Sequence, residues 1–221
     1  MTTLYLVRHA EAEGNIKEFF QGRIDTEISE NGRKQLELLA ERFKDVKIDA
    51  IYSSTLKRAR ETAEKINIYH NLEINTDSGL VEIDGGKFEG KSWAELPELY
   101  PEQYRKWKTQ MQDFQAPDGE SMTDVYNRMV STINKIVTEN QSKTILIVSH
   151  GCAVRNYLCY ACGKPLSEIL ELGWSDNTAV SKIVYDDKMK PEVIFKNNSD
   201  HLTPETSTIR KSHWCKGDKI N

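Results

Sequence analysis

Leu4-Tyr5-Leu6-Val7-Arg8-His9-Ala10-Glu11-Ala12-Glu13-Gly14-Asn15 is the stretch that decides the fold. Its apolar opening, Leu4 to Val7, is too short for a helix and reads as a buried strand. The strand runs out into Arg8-His9 and then into Gly14-Asn15, so it delivers two basic side chains to the rim of a sheet. In an open parallel sheet the carboxyl ends of the strands are where ligands bind. A guanidinium group grips phosphate oxygens, and a neutral imidazole beside it can act as a nucleophile.

Arg-His alone is a common dipeptide; two later strands give it weight. Ile48–Ser53 stops at Ser53-Ser54, with Arg58 one turn into the following helix. Thr144–Val148 is a continuous run of aliphatic and β-branched residues, and it stops at Ser149-His150-Gly151. Between the strands lie helices: one capped by Ser29 with Leu36, Leu39, Ala40 and Phe43 at helical spacing, and one through Leu56–Ala63. Leu72–Thr76 is a weaker third strand. Such alternation predicts a mostly parallel sheet with helices on both faces, an α/β three-layer sandwich.

Past residue 78 the pattern changes. Residues 79–90 are rich in glycine and read as a loop carrying Glu82. The segment 85–140 is expected to be a helical insertion over the ligand edge, with an apolar stripe from Met122 to Val137. Two closing strands, Thr178–Asp186 and Glu192–Lys196, flank a short polar turn and predict an antiparallel edge. The expectation is one domain over 1–200 and a polar tail over 201–221.

The net charge of −4 argues against a general nucleic-acid or membrane-surface binder, so any anion site has to be a local cluster of positive charge. No apolar run approaches the roughly 20 residues that span a bilayer, and the N-terminal residues lack the basic segment of a secretory signal. The expected location is the cytoplasm. Cys159 and Cys162 have no second pair of ligands at zinc spacing and read as core thiols on a helix. No cluster has metal-ligand spacing, and no cofactor or metal is expected. Arg60, His70, His201 and His213 carry no motif and read as surface residues, while Trp93, Tyr104 and Trp107 read as packing residues that shape a pocket.

The chain resembles the histidine phosphatase superfamily in its cofactor-dependent phosphoglycerate mutase-like branch. The resemblance lies in Leu6-Val7-Arg8-His9 with Glu11 and Asn15, in Gln21-Gly22, and in Ser29-Glu30-Asn31-Gly32. It continues through Tyr52-Ser53-Ser54 with Arg58, Leu80 with Glu82, Gly119-Glu120-Ser121 and Val148-Ser149-His150-Gly151. It implies that His9 forms a phosphohistidine, that Arg8, Arg58 and His150 hold the phosphoryl oxygens, and that Glu82 is the general acid. Asn15, Gln21, Gly22, Arg23 and Gly151 are the expected substrate contacts.

The implied activity is metal-independent hydrolysis of a small phosphorylated metabolite. A phosphoglycerate mutase is the alternative, but mutases resemble one another in a longer insertion rich in arginine and proline. Here 92–118 contains one arginine, Arg105, and three prolines. The family pattern Arg-His-Gly-Glu-Thr is replaced by Arg8-His9-Ala10-Glu11-Ala12. If the backbone at position 10 needs a positive φ or a close approach to phosphate, Ala10 lowers activity, and a catalytically silent phosphate-binding protein is the third alternative. The expected partner is a small phosphorylated metabolite, with no nucleic acid or membrane; a homodimer is left open.

Overall fold

The computed structural model describes residues 1–211. Six strands form one sheet in the order β3-β2-β4-β1-β5-β6. β1 (Thr2–Arg8) pairs in parallel with β4 (Thr144–Ser149), which pairs in parallel with β2 (Ala50–Ser53), and β2 with β3 (Ile74–Thr76). β5 (Val180–Tyr185) runs antiparallel to β1, and β6 (Pro191–Asn198) antiparallel to β5. The expected parallel sheet with an antiparallel edge is therefore what forms.

Why β1 and β4 occupy the middle follows from their side chains. Successive strand residues point to opposite faces, and both strands are apolar on both. Leu4, Leu6, Ile145 and Ile147 bury against one helical layer, while Val7, Leu146 and Val148 bury against the other. The short helix α1 (Glu13–Ile16) lies in the loop after β1. α2 (Glu30–Phe43) and α3 (Lys57–Asn67) cover the second face through Leu39, Phe43, Ala59, Ala63 and Ile66. Ser29 caps α2 as expected, its hydroxyl accepting from the Gly32 N–H.

Within 85–140 the chain divides its labour. Trp93, in the turn before the short helix α4 (Leu96–Leu99), and Trp107, on α5 (Pro101–Thr109), both reach the ligand edge. α6 (Met122–Glu139) instead joins α7 (Gly151–Ala161) in the first helical layer, burying Met122, Val125, Met129, Ile133, Ile136 and Val137. Ile133 is fully buried, and truncating it to alanine costs about 2–5 kcal/mol at such sites. Among the described residues no helix is long and apolar enough to cross a membrane.

The described part of the segment after β6 packs back onto the domain. Residues 201–211 read as a polar tail, yet they are strapped to the loop that follows β1. Gln35 Nε2 donates to the Thr206 carbonyl at 2.7 Å, and Thr208 Oγ1 donates to Glu11 Oε2 at 2.8 Å. The Asp176 carboxylate accepts from the Ser207 hydroxyl and from the N–H of Thr208, opening the short helix α8 (Thr208–Lys211). The strap is built from polar groups that satisfy one another, so no apolar periodicity announces it. His201 belongs to it: its ring bridges Arg42 Nη1 and Thr178 Oγ1 at 3.0 Å each, and burial pushes its pKa down to about 4. Arg60 is exposed, as expected. His213 and the remaining residues after 211 lie outside the described residues.

Candidate active site

The register of the two central strands sets the site. Arg8 of β1 lies opposite Ser149 of β4, so the residues that follow them, His9 and His150, emerge side by side with ring centroids 5.1 Å apart. Ser53 of β2 lies opposite Val148, which places Ser54 beside His150 and its Oγ 2.7 Å from His150 Nε2. Three strand ends thus meet at one edge, as the sequence predicts.

His9 Nδ1 lies 2.7 Å from the Ala10 carbonyl, an acceptor, so Nδ1 carries the proton and Nε2 keeps its lone pair. Arg58 Nε donates to that Nε2 at 3.3 Å. Burial, then Arg58, then Arg8 hold the His9 pKa well below its usual value, and the imidazole is neutral at neutral pH. His150 is fully buried and depressed for the same reasons, led by desolvation; its Nδ1 has no protein partner. Arg58 is fixed by two carbonyls, Nη1 donating to Ile24 and Nη2 to Gly22, at 2.7 Å each. Burial pushes its pKa down to about 10, which leaves it charged at neutral pH. Arg8 Nη1 donates to the Ser175 carbonyl.

Glu82 sits across the start of α7. Its Oε2 accepts from the Cys152 N–H at 3.0 Å, and its Oε1 from the N–H groups of Ala153 at 3.0 Å and Ile83 at 2.9 Å. The helix N-terminus therefore positions the carboxyl group at the cleft. The loop that carries Glu82 is clamped by Arg128 of α6, which donates to the carbonyls of Gly79 at 2.9 Å and Val81 at 2.8 Å. Arg128 also forms a two-pronged ion pair with Glu120, and Glu120 accepts from the Asp84 N–H at 2.9 Å.

These groups line a cleft of about 80 Å³. Arg8, His9, Arg58, Glu82, Asn15, Gln21, Gly22 and Gly151 are all in its lining. His150 sits beneath His9 rather than on the surface of the cleft. Gly14 is required by close approach: a Cβ there would lie 2.2 Å from Gln21 Cγ. Arg23 is not in the lining. Its Nη groups pair with Asp84 at 3.3 Å and Glu120 at 3.2 Å, and its Nε donates to the carbonyl of the lining residue Glu82 at 3.4 Å.

Ala10 also differs from expectation. Its φ is not positive, and its methyl packs with Ile28 and Leu36 behind the loop while its N–H donates to Thr62 Oγ1 at 3.0 Å. The φ at position 10 does not call for glycine.

Several residues of the site escaped the sequence. Trp174, Phe19, Phe20, Ile83 and Cys152 line the cleft, and Asn177 Nδ2 holds the His9 carbonyl at 3.0 Å. Thr178, a β-branched residue at φ 61°, donates its N–H to the same carbonyl at 3.2 Å. Residues 174–178 form the turn into β5, and only the strand pairing brings them to His9. The cysteines of α7 are free thiols, and burial raises the Cys159 pKa to about 11. Among the described residues no group of His, Cys, Asp and Glu has the arrangement of a metal site.

A neutral imidazole beside two fixed guanidinium groups is equipped to accept a phosphoryl group: its Nε2 lone pair, which here accepts from Arg58 Nε, is freed when that N–H passes to a phosphoryl oxygen, and fixed positive charge stands where such oxygens would gather. Comparison with known proteins agrees. The model of the histidine phosphatase superfamily (branch 1) matches residues 4–198, and the chain belongs to that superfamily. It is 36% identical to phosphoserine phosphatase 1 of Hydrogenobacter thermophilus, over 91% of this chain and 95% of that one. The fold is similar to that of Bacillus stearothermophilus YhfR, with a TM-score of 0.87, 30% identity and coverage of 91% and 99% of the two chains. It is likewise similar to a phosphoserine phosphatase H9A mutant from Entamoeba histolytica in complex with phosphoserine, at a TM-score of 0.82, 27% identity and coverage of 92% and 100%.

Proposed function

We propose that the protein is a phosphomonoesterase in which His9 Nε2 attacks phosphorus and the resulting phosphohistidine is hydrolysed by water. The single observation that carries this reading is the state of His9: Nδ1 is committed to the Ala10 carbonyl, and Nε2 is directed at Arg58 in the cleft. As the P–N bond forms and the P–O bond breaks, charge builds on phosphoryl oxygens that Arg8 and Arg58 are placed to neutralise. Glu82 is placed to give a proton to the departing alkoxide once its carboxyl leaves the α7 N–H groups, and then to take one from the attacking water.

The small number of cations in the cleft favours hydrolysis over mutase chemistry, which has to hold a bisphosphorylated intermediate. Arg105 is exposed and donates to Gln110, away from the cleft. The relatives named as phosphoserine phosphatases make phosphoserine one substrate to test. A cytoplasmic location goes with the same reading. Incubation with a ³²P-labelled ester should give an acid-labile, base-stable label that is lost in His9→Ala while the fold is kept. An unlabelled wild-type protein, or normal turnover by His9→Ala, would discard the mechanism. Because two arginines supply the charge, EDTA should leave turnover unchanged.

A further inference from the structure

We infer that the outer half of the cleft selects phosphate esters whose alcohol is apolar and uncharged, and rejects alcohols that carry a second charge. This selectivity presupposes the phosphomonoesterase reading above, because the ester enters the same cleft.

Beyond the reacting groups, the cleft is walled by Phe19, Ile83, Trp93, Trp107 and Trp174, with Phe20 packed among them. The Phe20 ring is 5.3 Å from that of Trp93 and 5.1 Å from that of Trp107, and Trp107 stacks on Trp174 at 5.8 Å and 29°. Each ring is held by the next, so the surface is preformed and an apolar group loses little in ordering it.

Charge is sparse by comparison. Among the described residues, the charged side chains in the lining are Arg8, Arg58 and Glu82, alongside the neutral His9. The phosphoryl dianion engages both guanidinium groups. A carboxylate on the alcohol would then face the negative π faces of the indoles and the Glu82 carboxyl group. Arg23 is not in the lining, and its guanidinium is already held, the Nη groups by Asp84 and Glu120 and Nε by the Glu82 carbonyl. A cationic alcohol fares no better: the Arg155 guanidinium lies over Trp174 at 4.5 Å, and two arginines already occupy the cleft. An uncharged apolar group is what this wall accommodates.

The test compares kcat/KM of the full-length protein on benzyl phosphate, glycerol phosphate, phosphoserine, 3-phosphoglycerate and phosphocholine. All five leave as alkoxides, so the comparison reads recognition rather than leaving-group reactivity. Benzyl phosphate should exceed each of the others by about tenfold or more, the scale of a few apolar contacts in a pocket. In Trp93→Ala the ratio of benzyl to glycerol phosphate should shrink by roughly fivefold, through KM rather than kcat. Equal or better turnover of phosphoserine, 3-phosphoglycerate or phosphocholine would overturn the selectivity, as would an unchanged ratio in both Trp93→Ala and Trp174→Leu. Calorimetry with benzylphosphonate and 3-phosphonopropionate reads the same preference without turnover. Tighter binding of benzylphosphonate by a protein that hydrolyses nothing would sink the phosphatase reading alone, and equal or tighter binding of phosphonopropionate would sink the selectivity.

Discussion

Arg58 and His9 touch through Nε and Nε2 at 3.3 Å, and the contact works in one direction only. A guanidinium group has no acceptor, so His9 Nε2 has to offer its lone pair, and a proton at that atom would break the contact. The arginine thus keeps Nε2 unprotonated before any substrate arrives, and attack on phosphorus follows when this N–H passes to a phosphoryl oxygen and frees the lone pair. Arg58 in turn cannot swing away, because Ile24 and Gly22 hold its other two nitrogens.

A pH dependence follows with a definite sign. His9, His150 and His201 all have folded-state pKa values below the ordinary 6.5, the last at about 4, with burial the leading cause in each. Above pH 6.5 they are neutral in both folded and unfolded chains and contribute nothing to the slope. Below it the unfolded chain takes up protons that the folded one refuses, so stability falls as the pH drops from 6.5 toward 4. Each such histidine adds a slope of about 1.4 kcal/mol per pH unit. Urea unfolding at pH 8, 6.5 and 5 should show the loss below 6.5, and His201→Gln should shed about one proton's worth of it. A flat profile would contradict the burial of these rings.

Glu82→Gln should slow alkyl esters by roughly 10²–10⁴-fold, the range for a lost general acid, and p-nitrophenyl phosphate far less. The amide keeps one of the two oxygens that accept from α7 and turns an NH2 group toward the other N–H, so urea unfolding of the variant is measured beside its turnover. Equal loss on both esters would remove Glu82 as the proton donor and leave it a helix cap.

Arg128 should act through Glu82. Its guanidinium holds the carbonyls on one side of Glu82, and its partner Glu120 holds the Asp84 N–H on the other. Arg128→Met should cost about 1–3 kcal/mol of stability and reproduce the leaving-group signature of Glu82→Gln in weaker form. KM for p-nitrophenyl phosphate should stay near that of wild type. A loss of stability with no leaving-group signature would make the clamp merely structural.

Gly14→Ala should press on Gln21, since the new methyl would sit 2.2 Å from its Cγ. Overpacking of this kind costs about 1–3 kcal/mol. The substitution should raise KM, and Gln21→Ala in the same chain should recover stability without recovering KM. If Gly14→Ala alone is neutral, Gln21 is not fixed against that glycine.

How far the sequence could be read depended on what kind of signal each residue leaves. β1 and β4 are buried on both faces, so both appear as unbroken apolar runs, and the residues at their ends are placed with them. That suffices for Arg8, His9 and His150. Arg58 follows because it lies in the first turn of the helix after β2. Trp174, Ser175 and Asn177 leave no such trace: they sit in a turn, and His9 is 168 residues from Asn177 in the chain. The partners of Arg23 leave no trace beside it in the sequence, because Asp84 and Glu120 are brought to it by two other segments. Ala10 looked like a liability when the backbone angle at that position was unknown; at an ordinary φ its methyl is an asset in the packing.

The strap from Thr206 to Thr208 ties the order of synthesis to the appearance of a competent site. Glu11, two residues past His9, receives its third hydrogen-bond donor only from Thr208, after those of Ser29 and Asn31. A ribosome makes that donor almost 200 residues after it makes His9. A nascent chain that has finished its sheet but not its strap holds the Glu11 carboxylate short of a partner. The nucleophile loop is translated long before the strap that locks it.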